Sequence, residues 1–251
     1  MIARRAIFNV LDDNGDGSIN SLDDQSLGIR LGFMNFHNCS GDDSGTNYSS
    51  GCNTLKAALG TTYSAIWNGG TTPGGSSWSG VNGMTSASGG TPLVASLREA
   101  KLYLDDTKNG NQSKGIPADP AAACRQKFVI LITDGADTYT CSGDGTEGQT
   151  DQYNRRRETV AKAQALGDAG YKVFVVGFGA DMPHWSRNTL NWAAYYGKTD
   201  NPTEENSGDT GAYLPSSVTS CQTSTTDHHN IYGDGDHYYA TANDPGETPL
   251  S

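Results

Sequence analysis

Residues 127–138 read KFVILITDGADT, and their interpretation decides the fold. Positions 128–132 form an unbroken apolar run rich in β-branched side chains. Such a run predicts a strand buried on both faces, as in a parallel sheet covered by helices on either side. It stops at Thr133-Asp134-Gly135, with Asp137 close behind. In open α/β sheets ligands gather beyond the carboxyl ends of the strands. A carboxylate there is a metal or ligand contact, or else a helix-capping and turn residue.

Outward from this strand, 172–179 (KVFVVGFG) is a second buried strand, and 26–36 alternates with Leu27, Ile29, Leu31 and Phe33 on one face. Helices are expected over 3–11, 54–67, 153–169 and 185–197, the third ending at Gly170 as a left-handed cap. One more helix begins at Thr91, a natural N-cap, with Pro92 at its first position and Leu93, Leu97, Ala100 and Leu104 at helical spacing. Strands alternating with helices imply α/β architecture. The expectation is a single domain over 1–251, Rossmann-like, with an open, mainly parallel sheet and helices on both faces. Long loop insertions fall at 37–53, 69–90, 107–123 and 138–152, and 200–251 is an acidic, loop-rich tail.

The composition narrows the function. A net charge of −11 over 251 residues argues against the basic surface that nucleic acid requires and favours cations as small partners. The 32 glycines and only 35% hydrophobic residues point to a modest core carrying long surface loops. Cys39, Cys52, Cys124, Cys141 and Cys221 all lie in or beside polar loops, and no CxxC pair exists. That pattern favours an oxidising compartment, with two disulfides and one remaining thiol. Cys39–Cys52 is the expected local bridge; the other three cannot be paired from sequence. No apolar run reaches the length of about 18 residues that a membrane span needs. The start, MIARRAIFNVLDD, has no long apolar core of a signal peptide, so a secreted form is expected to lack its native start.

The most specific motif is 12–23, DDNGDGSINSLD. Asp12, Asn14 and Asp16 occupy positions 1, 3 and 5 of a calcium loop, Gly17 takes the sharp turn at position 6, and Asp23 stands at position 12. Ser18 would offer its backbone carbonyl, and Asn20 would act directly or through water. Ile19 takes the apolar position that packs the loop on its neighbour. Asp in place of the longer Glu at position 12 resembles the loops of dockerin modules, although only one loop is present. An Asx-rich turn is the alternative for a DNGDG string.

Several phrases together resemble the von Willebrand factor A domain over about residues 1–200: SLGIRLGFMNF its second strand, GGTPLVASLREA its threonine loop and helix, KFVILITDGAD its aspartate strand, and KVFVVGFG the next strand. That resemblance implies a divalent cation above the sheet, Mg²⁺ or Ca²⁺, held by a D-x-S-x-S motif, a threonine and an aspartate; Thr91 and Asp134 match the latter two. The D-x-S-x-S element is expected before residue 1, on a first strand, and the last helix is expected to be truncated near Asp244-Pro245. Asp42-x-Ser44-x-Thr46 matches the motif only superficially, because it follows the second strand. Within the family, ARRAIFNVLDDN, the calcium loop and the cysteine-bearing loops are similar to the N-terminal domain of PilY-type type IV pilus proteins. This implies an extracellular bacterial pilus-tip module acting in adhesion and pilus assembly. Its implied partners are minor pilins, a host or surface ligand, and the other domains of its parent protein.

Two alternatives belong to other classes. One is a structural module stabilised by calcium with no sheet-top ligand, and the other an intracellular von Willebrand A subunit of an ATPase-linked complex. An enzyme is not expected. The only cluster that invites one, Asp227, His228, His229, Asp234, Asp236 and His237, has no catalytic spacing, and no nucleotide-binding glycine motif lies between a strand and a helix.

Overall fold

The structure, a computed structural model, describes residues 2–36, 53–84, 90–112, 116–139, 152–178, 182 and 184–199. The chain divides into two compact units, Met1–Phe36 with Asn53–Gly89, and His37–Cys52 with Gly90–Ser251.

The first unit opens with α1 (Ile2–Leu11) and α2 (Ser21–Leu27). Asn20 accepts the Leu22 N–H while the Asp23 carboxylate accepts the Asn20 N–H, a reciprocal cap that starts α2. Gly28, at φ +63°, ends it. These capping signals override the alternating pattern of 26–36, so Leu27 is helical and the expected strand shortens to β1 (Phe33–Phe36). The expected helix over 54–67 is also corrected. Its first part is β2 (Asn53–Ala57), antiparallel to β1 with Phe36 opposite Asn53. Only Tyr63–Asn68 forms a helix, α3. Pairing with a partner strand outweighs weak local helical preference.

A small hairpin of β3 (Gly70–Thr71) and β4 (Ser77–Trp78) follows. It is clasped against α3 by backbone bonds from Val81 N–H to the Ile66 carbonyl and from Asn82 N–H to the Trp67 carbonyl. The clasp needs glycine at two places. A Cβ on Gly69 would fall 2.2 Å from the Trp78 carbonyl oxygen, and one on Gly80 would fall 2.2 Å from that of Trp67. Both residues also have positive φ, +92° and +73°. Leu11, Ile19, Ala57, Tyr63, Ile66 and Val81 form the core, flanked by Phe8, Phe33, Trp67 and Trp78.

The second unit contains α4 (Leu93–Asn109), β5 (Lys127–Thr133), α5 (Gln152–Asp168), β6 (Tyr171–Gly177) and α6 (His184–Tyr196). β5 and β6 run parallel from Lys127 opposite Tyr171 to Thr133 opposite Gly177, with α5 between them in sequence. This is a mixed α/β unit built on a short parallel sheet. The helices and strands fall close to their expected places, and Gly170 has the expected positive φ of +85°. α5 packs on β6, α4 and α6. Leu131, Thr133, Tyr171 and Val173 are buried along with Val160, Ala163, Leu166 and Ala193 of the helices.

One expectation for the central strand is overturned. On the opposite face, Phe128, Ile130, Phe174 and Val176 are between 44% and 61% exposed, so β5 is buried on one face only among the described residues. At the start of α5, Arg155, Arg156 and Arg157 are all buried.

Cys124 is an exposed free thiol. Cys39, Cys52, Cys141 and Cys221 lie outside the described residues, as do the Asp42-x-Ser44-x-Thr46 string and the acidic His cluster at 227–237. No described helix is long and apolar enough to cross a membrane.

Candidate functional site

The calcium-loop residues form one tight turn between two helices. α1 seats Leu11 in the core, and Ile19 seats the far end of the loop there, at 2% and 7% exposure. The chain between must reverse, and Gly15 (φ +69°) and Gly17 (φ +86°) allow it. Loop N–H groups then meet side-chain oxygens in sequence. Gly17 donates to Asp12 Oδ2 at 3.0 Å, and Asp16 to Asn14 Oδ1 at 2.9 Å. The Ser18 N–H and hydroxyl both donate to Asp16 Oδ1 at 2.8 Å. These bonds, the Ser18 hydroxyl first, hold the Asp16 carboxyl below the usual carboxylate range.

Asp23 closes the loop. Fully buried, it accepts from Asn20 N–H at 2.7 Å through Oδ2 and from Asn14 N–H at 3.2 Å through Oδ1. All six residues expected to serve as ligands, Asp12, Asn14, Asp16, Ser18, Asn20 and Asp23, therefore belong to one hydrogen-bonded turn.

A calcium ion takes six to eight oxygens, and every side chain here offers oxygen. Asp12 Oδ1 is buried and meets no hydrogen-bond donor. An acceptor in that state is costly unless a donor or cation satisfies it. The donor set thus fits a hard cation. The other carboxylate oxygens of Asp12, Asp16 and Asp23 are turned onto the loop's own donors. Among the described residues no three Asp, Glu, His or Cys side chains stand together as a metal cluster.

The sheet-top residues behave differently. Thr91 is not a helix cap, because α4 begins at Leu93 with Pro92 before it and no side-chain cap from Pro92. Instead the Thr91 N–H donates to Thr138 Oγ1 at 2.7 Å, and the Thr138 N–H returns a 3.0 Å bond to the Thr91 carbonyl. The cap comes from Asp137, which is 5% exposed. Its Oδ2 accepts from Val94 N–H at 2.8 Å and its Oδ1 from Tyr139 N–H at 3.0 Å. Asp134 is exposed and makes no hydrogen bond or ion pair among the described residues. The structure therefore brings the 91–94 and 137–139 segments together, with no hydrogen bond between Thr91 and Asp134. Asp137 was visible in the sequence only as a second carboxylate behind the strand. Its capping partner lies 43 positions away, beyond any local signal.

No family model matches this chain, and no curated protein or solved structure matches it either.

Proposed function

We propose that this chain is a calcium-binding module of an extracellular, adhesive kind, built on a von Willebrand A-like fold with an open, mainly parallel sheet, and resembling the N-terminal domain of PilY-type pilus-tip proteins. It acts by binding, not catalysis. Its partners on this proposal are minor pilins or a surface ligand, together with other domains of its parent protein.

The single observation that carries the calcium role is the 12–23 turn between α1 and α2. There the side chains expected to serve as ligands fall in one loop, and Asp12 Oδ1 is buried with no donor. The ion would be held by Asp12, Asn14, Asp16 and Asp23 with the Ser18 carbonyl, and by Asn20 directly or through water. Its chemistry there is structural: it would neutralise the loop's carboxylates and fix the helix–loop–helix turn.

A second, structural version of this proposal has no ligand at the sheet top, and the exposed, unbonded Asp134 favours it. One titration separates the two. Chelator-treated protein is titrated calorimetrically with Ca²⁺ and, separately, with Mg²⁺, as wild type and as Asp16→Ala. Calcium binding that vanishes in the variant places the ion in the loop. Mg²⁺ binding that survives it assigns a cation to Thr91 and Asp134. No binding of either ion overturns the metal role altogether.

A further inference from the structure

One cavity of the first unit has no part in the calcium loop. It is a depression open to solvent, of about 570 Å³, lined by Asn35, Lys56, Ser77, Trp78, Ser79, Gly80 and Met84. That volume lies in the range of small-ligand sites. Two separate hairpins build it: Asn35 and Lys56 come from β1 and β2, and Ser77 and Trp78 from β4.

The chemistry of the wall is selective. Lys56 forms no ion pair among the described residues, in a chain whose net charge is −11. An ammonium without a carboxylate partner leaves a place for an anion. The Asn35 Oδ1 is buried and meets no donor, so its amide can turn toward a ligand hydroxyl without giving up a protein hydrogen bond. Trp78 stacks on Phe33 with ring centroids 5.6 Å apart and planes 15° apart. This fixes the indole plane, and Trp78 is also one of the residues that line the cavity. Two serine hydroxyls complete the lining.

A fixed aromatic surface beside several hydroxyl and amide groups and a single cation matches a molecule with an apolar C–H face, many hydroxyls and one negative charge. Among the described lining residues only Met84 is apolar besides Trp78, too little to anchor the side chains of a peptide. We infer that this cavity binds an acidic saccharide. The sugar ring lies against Trp78, its hydroxyls meet Asn35, Ser77 and Ser79, and its carboxylate pairs with Lys56. The inference rests on this cavity alone and not on the calcium loop.

The test titrates the full chain, in calcium, with a uronic-acid trisaccharide and with a neutral glucose trisaccharide of equal length. Binding is followed by saturation-transfer NMR and calorimetry. The expected result is saturable binding of the acidic sugar, weakened by about tenfold or more in both Lys56→Gln and Trp78→Ala, with the neutral sugar similarly weaker. Lys56→Gln leaves the Phe33–Trp78 stack intact and decides the matter if Trp78→Ala fails to fold. Absence of saturable binding overturns the inference, and so does binding indifferent to Lys56→Gln. Equal binding of a short polyglutamate peptide that depends on Lys56 but not on Trp78 also overturns it, by showing charge attraction to a peptide instead of sugar recognition.

Discussion

Asp137 Oδ2 accepts the Val94 N–H at 2.8 Å, so the first turn of α4 is capped from the segment that follows β5. A buried carboxylate holding orphan helix N–H groups is worth more than an exposed one. Asp137→Ala is expected to cost about 2 kcal/mol. Asp134→Ala, at an exposed and unbonded position, should change stability by less than about 0.5 kcal/mol. Urea unfolding of the two variants checks this, and equal losses would show that the cap is not what Asp137 contributes.

In the calcium loop, the buried Asp23 and the exposed Asp16 should separate. Asp23 braces the turn by itself through Asn14 and Asn20, so Asp23→Ala is expected to lower Tm with or without calcium. Asp16→Ala should lower Tm more in calcium than in chelator, where only its bonds to Ser18, Asn14 and Asn20 are lost. Differential scanning calorimetry in both buffers gives the comparison. An equal loss from Asp16→Ala in the two buffers removes the calcium role.

Gly80 stands with its Cα against the Trp67 carbonyl, where a methyl group would sit 2.2 Å from oxygen. Gly80→Ala must also adopt a φ of +73°, which L residues avoid. The expected cost is about 2 kcal/mol or more, read from thermal denaturation. Gly75→Ala serves as the control. It shares a positive φ, +83°, but has open space around its Cα, so it should cost less.

Tyr171 donates a 2.7 Å hydrogen bond to Asp105 Oδ1, and Lys101 Nζ reaches Asp105 Oδ2 at 2.8 Å. Burial pushes the Asp105 carboxyl up, but these bonds outweigh it and hold it below the ordinary range. Burial, then the bond to Asp105, pushes the Tyr171 hydroxyl well above its ordinary value. The carboxyl's contribution is present above the unfolded pKa of about 3.9 and is lost as pH falls through the folded value. The phenol's contribution is present below about 10 and is lost as pH rises toward its folded value. Tyr171→Phe is expected to cost about 1 kcal/mol at neutral pH, discounted for partial exposure, and to flatten the alkaline edge. Stability measured from pH 3 to 11 would show an unchanged alkaline edge if the bond contributed nothing.

Much of the second unit was legible because its apolar periodicity is strong. The strands at 127–133 and 171–177 and the helices after them fall where the pattern places them. What periodicity cannot carry is coverage. A continuous apolar run looks the same whether helices cover one face or two, and here Ile130 and Phe174 remain exposed. In the first unit both patterns are locally ambiguous: the caps at Asn20 and Gly28 decide the start of 26–36, and pairing of β1 with β2 decides the start of 54–67. Fixed offsets brought out the residues that share the 12–23 turn, since each position in such a turn has its own geometric duty. Thr91 as a metal residue came from resemblance alone and Asp134 from its place at a strand end as well, and the residue that joins those two segments, Asp137, does so through backbone groups that no side-chain motif records.

Asp24 Oδ1 accepts the Tyr63 N–H at 2.8 Å, and the Tyr63 hydroxyl donates to the Ile29 carbonyl at 2.7 Å. The seven-residue α2 is too short to persist by itself. It is therefore riveted to α3 at both ends of one tyrosine, while Arg4 of α1 ties down the carbonyls of Asn82 and Met84. Slack introduced anywhere in the 12–23 turn has no local place to dissipate. It passes through Tyr63 into α3 and through Arg4 into the segment that follows β4, so this unit loosens as a whole instead of fraying from its loop.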